Sequence, residues 1–372
     1  MTAALLLTGT TVGVAGAQPT SGPASGTVRN GTALTGGVPW NHVGPGWVLV
    51  QYASAPPAGG SGPAALYLIS PDGTRYKLAS WKNWRSAPQL VAWSPDGRRA
   101  LFQVFSGQGG AELLTLATGR ESTFVLPGEP TPIGFTTPHG LAIVAGQLAD
   151  SGTSLARYTL SGALAQSLGF STDGRVLYAP SGTEFLTGTS HGLKLVSNHG
   201  ALIRQLPVPG TSASTCSAAR WWGSGTALAS CAPPNSAIPQ LWLVHLNGAR
   251  PTALTPPRKA SSGDLGDLDA WHLPSGLYLQ SAGPCGVLQI FKQRSNGSVR
   301  LVTVPNTLGD NHVLTALGSR LLIQAPTSCE GSNSLLWFNP GTRAEQWLIR
   351  APTNVTGVAV AIPFYSKENG NL

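Results

Sequence analysis

The stretch Leu90-Val91-Ala92-Trp93-Ser94-Pro95-Asp96-Gly97-Arg98-Arg99-Ala100-Leu101-Phe102 decides how the rest of the chain reads. It is an apolar run, a four-residue turn and a second apolar run. In such a turn proline sets φ at about −65°, aspartate bonds back to its own backbone, and glycine takes φ > 0 without steric cost. Apolar runs on either side predict a β-hairpin. Ser70-Pro71-Asp72-Gly73 repeats the turn between Leu66-Tyr67-Leu68-Ile69 and Tyr76-Lys77-Leu78. Two hairpins alone decide no architecture, so the long-range spacing of the turns carries the argument.

Working outward from Gly97, equivalent turn glycines stand at Gly46, Gly140, Gly182, Gly225, Gly276 and Gly318, in steps of 42 to 51 residues. A bulky residue precedes most of them, as Trp93, Phe135, Tyr178, Trp222 and Trp271. An apolar run follows, as Leu101-Phe102, Phe185-Leu186 and Leu321-Leu322-Ile323. Each pair leads to a third apolar run, such as Leu193-Lys194-Leu195-Val196 or Leu335-Leu336-Trp337-Phe338. A polar turn and a fourth segment follow, as at Asn247-Gly248 and Asn296-Gly297. Asn-Gly is a strong hairpin signal. Strands throughout, with a period in the forties, are the mark of propeller blades. The sequence therefore predicts an all-β fold, a seven-bladed β-propeller of four-stranded antiparallel blades. No segment keeps a helical period over a useful length, and the nearest candidate, Glu112–Glu121, falls where the repeat requires strand. The segment Asn354–Ile362 occupies the place of a further first strand with no blade after it. It is expected to pair beside Trp47-Val48-Leu49-Val50 and close the ring; the rival for that place is Val38-Pro39-Trp40.

Composition fits. The 372 residues include 47 Gly, 30 Pro and 11 Trp, and only 10% are charged, against about 25% in an average soluble domain. With 41% hydrophobic residues the chain has ample material for a core. The net charge of +8 comes from bases scattered along the sequence, the longest runs being Arg98-Arg99 and Arg258-Lys259. Nucleic-acid binding calls for a clustered stripe, so no nucleic-acid partner is expected; a mild attraction to anionic envelope polymers is. Residues 1–17 read as a signal-peptide-like segment, with Ala15-Gly16-Ala17 as a small-x-small cleavage site, although no basic residue opens it. Residues 18–36 read as a Gly/Ser/Thr/Pro linker, and residues 37–372 as one propeller domain. Ala3–Ala17 is too short and glycine-rich for a stable membrane span. A secreted or extracytoplasmic, monomeric single-domain protein is the resulting expectation.

Four cysteines in an exported chain read as two disulfides. Cys216 and Cys231 flank the hairpin at Gly223-Ser224-Gly225 almost symmetrically, which favours a bridge between them. Cys285 and Cys329 follow the second strands of adjacent blades at similar offsets and are expected to pair. Three pairings exist in principle, and the spacing shows no Cys-x-x-Cys zinc motif.

The run Trp93-Ser94-Pro95-Asp96-Gly97-Arg98 with Ala100-Leu101-Phe102 resembles the TolB-type propeller repeats of exported bacterial proteins. The match is clear at Ala92–Phe102 and partial at Ser70–Thr74. Later blades depart from it, as at Pro138-His139-Gly140 and Pro180-Ser181-Gly182. The resemblance implies a propeller of the bacterial envelope; that superfamily includes envelope scaffolds and peptidase lids, and no peptidase domain is legible in these residues.

Chemistry is sparse. Gly188-Thr189-Ser190-His191-Gly192 matches the Gly-x-Ser-x-Gly nucleophile pattern, but that elbow needs a strand before it and a helix after it, and here it falls between antiparallel strands. None of the seven histidines has metal-ligand spacing, and no catalytic residue is assigned. In a propeller, the loops between blades and those between second and third strands share the face that carries the channel mouth. That face should gather Trp84, Arg85, Asp173, Asp267, Asp310 and His312 as ligand-binding candidates, with Asp269, Glu330 and the cysteines. Trp84-Arg85 suits stacking on a sugar or peptide. No cofactor is expected, the one opening for it being a divalent cation held by channel-mouth carboxylates. The expected function is non-catalytic binding of a protein or envelope polymer through this face. The alternative is a propeller enzyme, a metal-assisted hydrolase, lactonase-like protein or lyase, working at the channel mouth.

Overall fold

A computed structural model of the chain describes residues 37–55, 62–105, 110–150, 152–209, 215–232, 238–257, 265–283, 287–326, 333–350 and 356–364. The export segment, the linker, Asp264, Cys285, Cys329 and Glu330 lie outside the described residues, and with them the expected Cys285–Cys329 bridge.

The described strands form seven four-stranded antiparallel sheets. In blades 2 to 7 the strands stand in chain order. Blade 1 is composite: the strand Thr356–Pro363 supplies its first position, beside Val48–Ala55, Ala64–Ile69 and Arg75–Trp81. Its register runs Val48↔Pro363 through Ala55↔Thr356. The C-terminal strand thus closes the ring as the sequence predicts. Its rival, Val38-Pro39-Trp40, leads instead into a single 3-10 turn, Trp40–His42.

Burial falls from the middle of each blade to its rim. The third strand Ala64–Ile69 is buried at five of six positions, whereas the fourth strand Arg120–Val125 has none buried. This explains the sequence pattern: third strands are near-continuous apolar runs, while fourth strands are polar and hard to read. The core is a set of wedges between blades. Trp47, Leu49, Leu66 and Leu68 of blade 1 pack with Leu90, Trp93, Phe102 and Leu114 of blade 2. Val48, Val50 and Ile69 of blade 1 meet Leu322, Leu335, Trp337 and Leu348 of blade 7. The ring is held across each seam by apolar area removed from water.

The Ser-Pro-Asp-Gly turns behave as their chemistry predicts. Ser94 Oγ donates to Asp96 Oδ1 at 2.6 Å, Arg98 N donates to the same oxygen at 3.1 Å, and Gly97 N closes on Ser94 O at 2.8 Å. In the Ser70 copy, the Ser70 hydroxyl and the Thr74 backbone hold the Asp72 carboxyl below the usual carboxylate range. First turns of neighbouring blades also nest. Gly140 has φ +63°, and a Cβ there would stand 2.9 Å from Ser94 Cβ. Only glycine satisfies both the left-handed backbone and the close approach.

Cys216 and Cys231 are partners in the register of blade 5 and form a disulfide, both side chains fully buried. In five blades the first strand carries an extra residue against the second, namely Val91, Ile133, Ala219, Leu268 and Leu314. Such bulges re-aim the side chains that follow them.

Candidate binding face at the channel mouth

At five of the seven seams, first strands of adjacent blades lie against one another around the channel. They enter it from the loop-bearing face, so residues in the blade-to-blade loops and at first-strand starts meet there. The described part of this face has an apolar end at blades 1 and 2 and a charged end at blades 4 to 7.

At the apolar end, the loop from blade 1 to blade 2 makes one 3-10 turn, Trp84–Ser86. Asn83 caps it by accepting from Arg85 N at 2.9 Å. Gln51 fixes the loop's exit, donating to Pro88 O at 2.6 Å and accepting from Leu90 N at 2.7 Å. Trp84 packs on Ala53, Ala64 and Ala87, and the Arg85 guanidinium lies 5.9 Å from its ring centre. The small alanine side chains leave a cavity of about 190 Å³, lined also by Gln89, Phe105 and Val360. Phe105 is 68% exposed at its mouth, and Trp84 Nε1 is buried without a hydrogen-bond partner. Trp84 and Arg85 were legible as candidates. Phe105, the alanines and Val360 were not, because they come from other strands and carry no motif.

At the charged end the candidates have separate environments. Asp173 sits in a third Ser-x-Asp-Gly turn, here on the loop-bearing face. Its Oδ1 accepts from Ser171 Oγ at 2.6 Å and Arg175 N at 3.2 Å, while its Oδ2 is buried without a partner. Asp267 is 1% exposed and accepts from Ser281 Oγ at 2.6 Å. Asp310 accepts from Leu288 N at 2.7 Å. His312 heads the first strand of blade 7, in contact with solvent while the surrounding protein encloses part of its side chain. That enclosure lowers its pKa, Asp269 raises it, Arg175 lowers it and Asp310 raises it. The His312 ring therefore feels the charges of Asp269, Arg175 and Asp310 across the mouth. The adjoining Asn311 is 2% exposed, and its Oδ1 has no partner.

The feature that sequence reading missed is Arg220. The bulge after Ala218 places it against Asp269 of the next blade, in two bonds of 2.7 and 2.6 Å, with its guanidinium 4.3 Å from the Trp271 ring centre. The acidic run around Asp267 is thus tied into the wall by Ser281 and Arg220. Among the described residues, no three His, Cys, Asp or Glu side chains stand together as a metal-binding group.

The Gly-x-Ser-x-Gly pattern has a structural explanation. Ser190 and His191 are the tip of a tight antiparallel turn, with Ser190 Oγ 2.8 Å from His191 Nδ1. A side chain at Gly188 would collide with the Cys216 carbonyl of the next blade.

Comparisons with known proteins extend this picture at the level of fold. No family model and no curated protein matches the chain. A structure from a study of two prolyl endopeptidases aligns at TM-score 0.54 and 12% identity, covering 86% of this chain and 51% of that one. A puromycin-hydrolysing peptidase of Mycobacterium tuberculosis gives 0.53 and 15%, covering 82% and 52%. TolB of Acinetobacter baumannii gives 0.46 and 15%, covering 84% and 66%. The likeness is one of fold. This chain spans about half the length of the peptidases it matches.

Proposed function

We propose that this is an exported, non-catalytic propeller that binds a protein or envelope ligand through its loop-bearing face, with an apolar group of that ligand seated beside Trp84 and Phe105. The observation that carries the reading is the cavity of about 190 Å³ behind those two aromatic side chains. A dry apolar cavity of about 150 Å³ accepts benzene, so this one suits a single ring or branched aliphatic side chain. Exposed aromatics at a concave, mostly apolar site are what recognition sites use. The buried disulfide of blade 5 supports an oxidising, extracytoplasmic setting. The enzymatic alternative draws on the charged end, where Asp310 and His312 share the mouth with Asp269 and Arg175.

A photo-cross-linker in place of Phe105, compared with one in place of Arg120 on the opposite face, tests the proposal in envelope extract. Capture from position 105 alone, lost when Trp84→Ala is added, supports it. Hydrolysis of lactone or peptide substrates that disappears in His312→Gln or Asp310→Asn overturns it in favour of an enzyme.

A further inference from the structure

The opposite face, formed by the turns within each blade, has its own pattern. Seven positions lie just after the last turn of each blade, within two residues of the start of the outermost strand. They hold Arg75, Arg120, Leu164, Leu202, Arg250, Arg300 and Arg343 in ring order, and all seven are exposed. Five blades present arginine there; the adjacent blades 3 and 4 present leucine. Leu164 and Leu202 are 58% and 55% exposed. The first turn of blade 3 adds Leu141 at 68%, where the equivalent place in blade 2 holds the exposed Arg98. Bases scattered along the sequence are thus gathered in space, bracketing an apolar patch.

The carboxylates on this face are fewer than its bases. Asp96 is paired with Arg99 at 3.3 Å. Glu121, Glu184 and Glu345 are half-buried, and Glu345 accepts from Trp347 Nε1 at 2.9 Å. Asp72 is the one exposed carboxylate among the described residues of these turns, and it lies in blade 1, outside blades 2 to 5. The loop-bearing face, by contrast, mixes both signs, with Lys82, Arg85 and Arg175 beside Glu129 and Asp150.

We infer that blades 2 to 5 of the turn face dock on an anionic phospholipid bilayer, Leu141, Leu164 and Leu202 entering the interface and Arg98, Arg120 and Arg250 meeting the headgroups. Leucines bracketed by arginine are the arrangement by which a protein lies on a membrane without crossing it. No helix among the described residues is long and apolar enough to cross one. Docked in this way, the protein would turn the Trp84–Phe105 cavity away from the lipid.

Flotation of the full chain with vesicles tests the inference. Vesicles of equal phosphatidylglycerol and phosphatidylcholine should carry the protein, pure phosphatidylcholine should not, and added salt should release most of it. Basic residues near such a surface act at ~1 kcal/mol each, roughly fivefold in partition, so Arg98→Gln, Arg120→Gln and Arg250→Gln together should lower binding on the order of a hundredfold. The triple Leu141→Ser, Leu164→Ser, Leu202→Ser variant should lose the part that survives salt, at an unchanged melting temperature. The arginine set, which touches no core residue, keeps the test decisive should the leucine set fold poorly. Equal partition into neutral vesicles, no partition into anionic ones, or arginine variants that bind like wild type would overturn the inference. So would a leucine variant that changes only the oligomeric mass, which would mark the patch as a contact between copies.

Discussion

Replacing Asp269 by Asn removes one negative charge from the channel wall while keeping the side chain's shape. Its partner Arg220 makes two charge-assisted bonds to it, and the two side chains are 15% and 19% exposed. Exposed pairs are worth about 0–1 kcal/mol, and stranding one member of a buried pair costs about 3–5 kcal/mol. This pair lies between those limits, and Asn retains an acceptor for Ala270 N, which now bonds Asp269 at 2.8 Å. The expected loss is therefore ~2 kcal/mol, a fall in Tm of roughly 4 °C for a domain of this size. Arg220 remains stacked on Trp271, so the double variant Arg220→Met, Asp269→Asn should lose less than the sum of the single variants. A second readout is independent of stability. Asp269 raises the His312 pKa, so its neutralisation should move the His312 titration, followed by NMR, to lower pH. A Tm change under about 1 °C, additive single variants, or a His312 titration that stays put or rises would refute the reasoning.

Three further outcomes follow from the same geometry. Enclosure lowers the His312 pKa below its ordinary value of about 6.5, so the unfolded chain binds this proton more readily than the folded one. Its stabilising contribution is complete above about pH 6.5 and is lost as pH falls below that value; urea unfolding across this range should show a slope that His312→Gln reduces. Gly140→Ala forces a side chain into φ +63° and within 2.9 Å of Ser94 Cβ; calorimetry should show a loss of ~2 kcal/mol, and a neutral result would mean that the nested turns yield easily. Cys216→Ser with Cys231→Ser opens a 15-residue loop, and guanidinium unfolding should give a loss of about 3 kcal/mol that reductant reproduces in the wild type.

The repeat was legible because it rests on local rules. Turn glycines, the bulky residue before them and the apolar third strands recur wherever a blade must bend and fill the wedge beside its neighbour. Closure by the last strand followed from an apolar segment left over after seven periods. The binding face was legible only in outline, since loop position follows from topology while side-chain company does not. Trp84 could be named, but not the three alanines whose smallness makes room beside it. Asp269 could be named as one acid in a dense run, but not its partner, because a bulge in the preceding blade aims Arg220 at it. Likewise the arginines look dispersed along the chain, and only the equivalence of turn positions around the ring brings them to one face.

The composite first blade has a temporal meaning as well as a spatial one. Three of its strands lie near the beginning of the described chain and the fourth near its end, so the contact that seals the ring is among the most distant in sequence that the fold makes. Pairings of this kind form late, because the loop they close is long. Until Thr356–Pro363 is available, Val48–Ala55 presents a bare backbone edge and the seam between blades 7 and 1 lacks its inner strand. An incomplete chain therefore leaves one strand edge unpaired, a ready template for pairing with another chain.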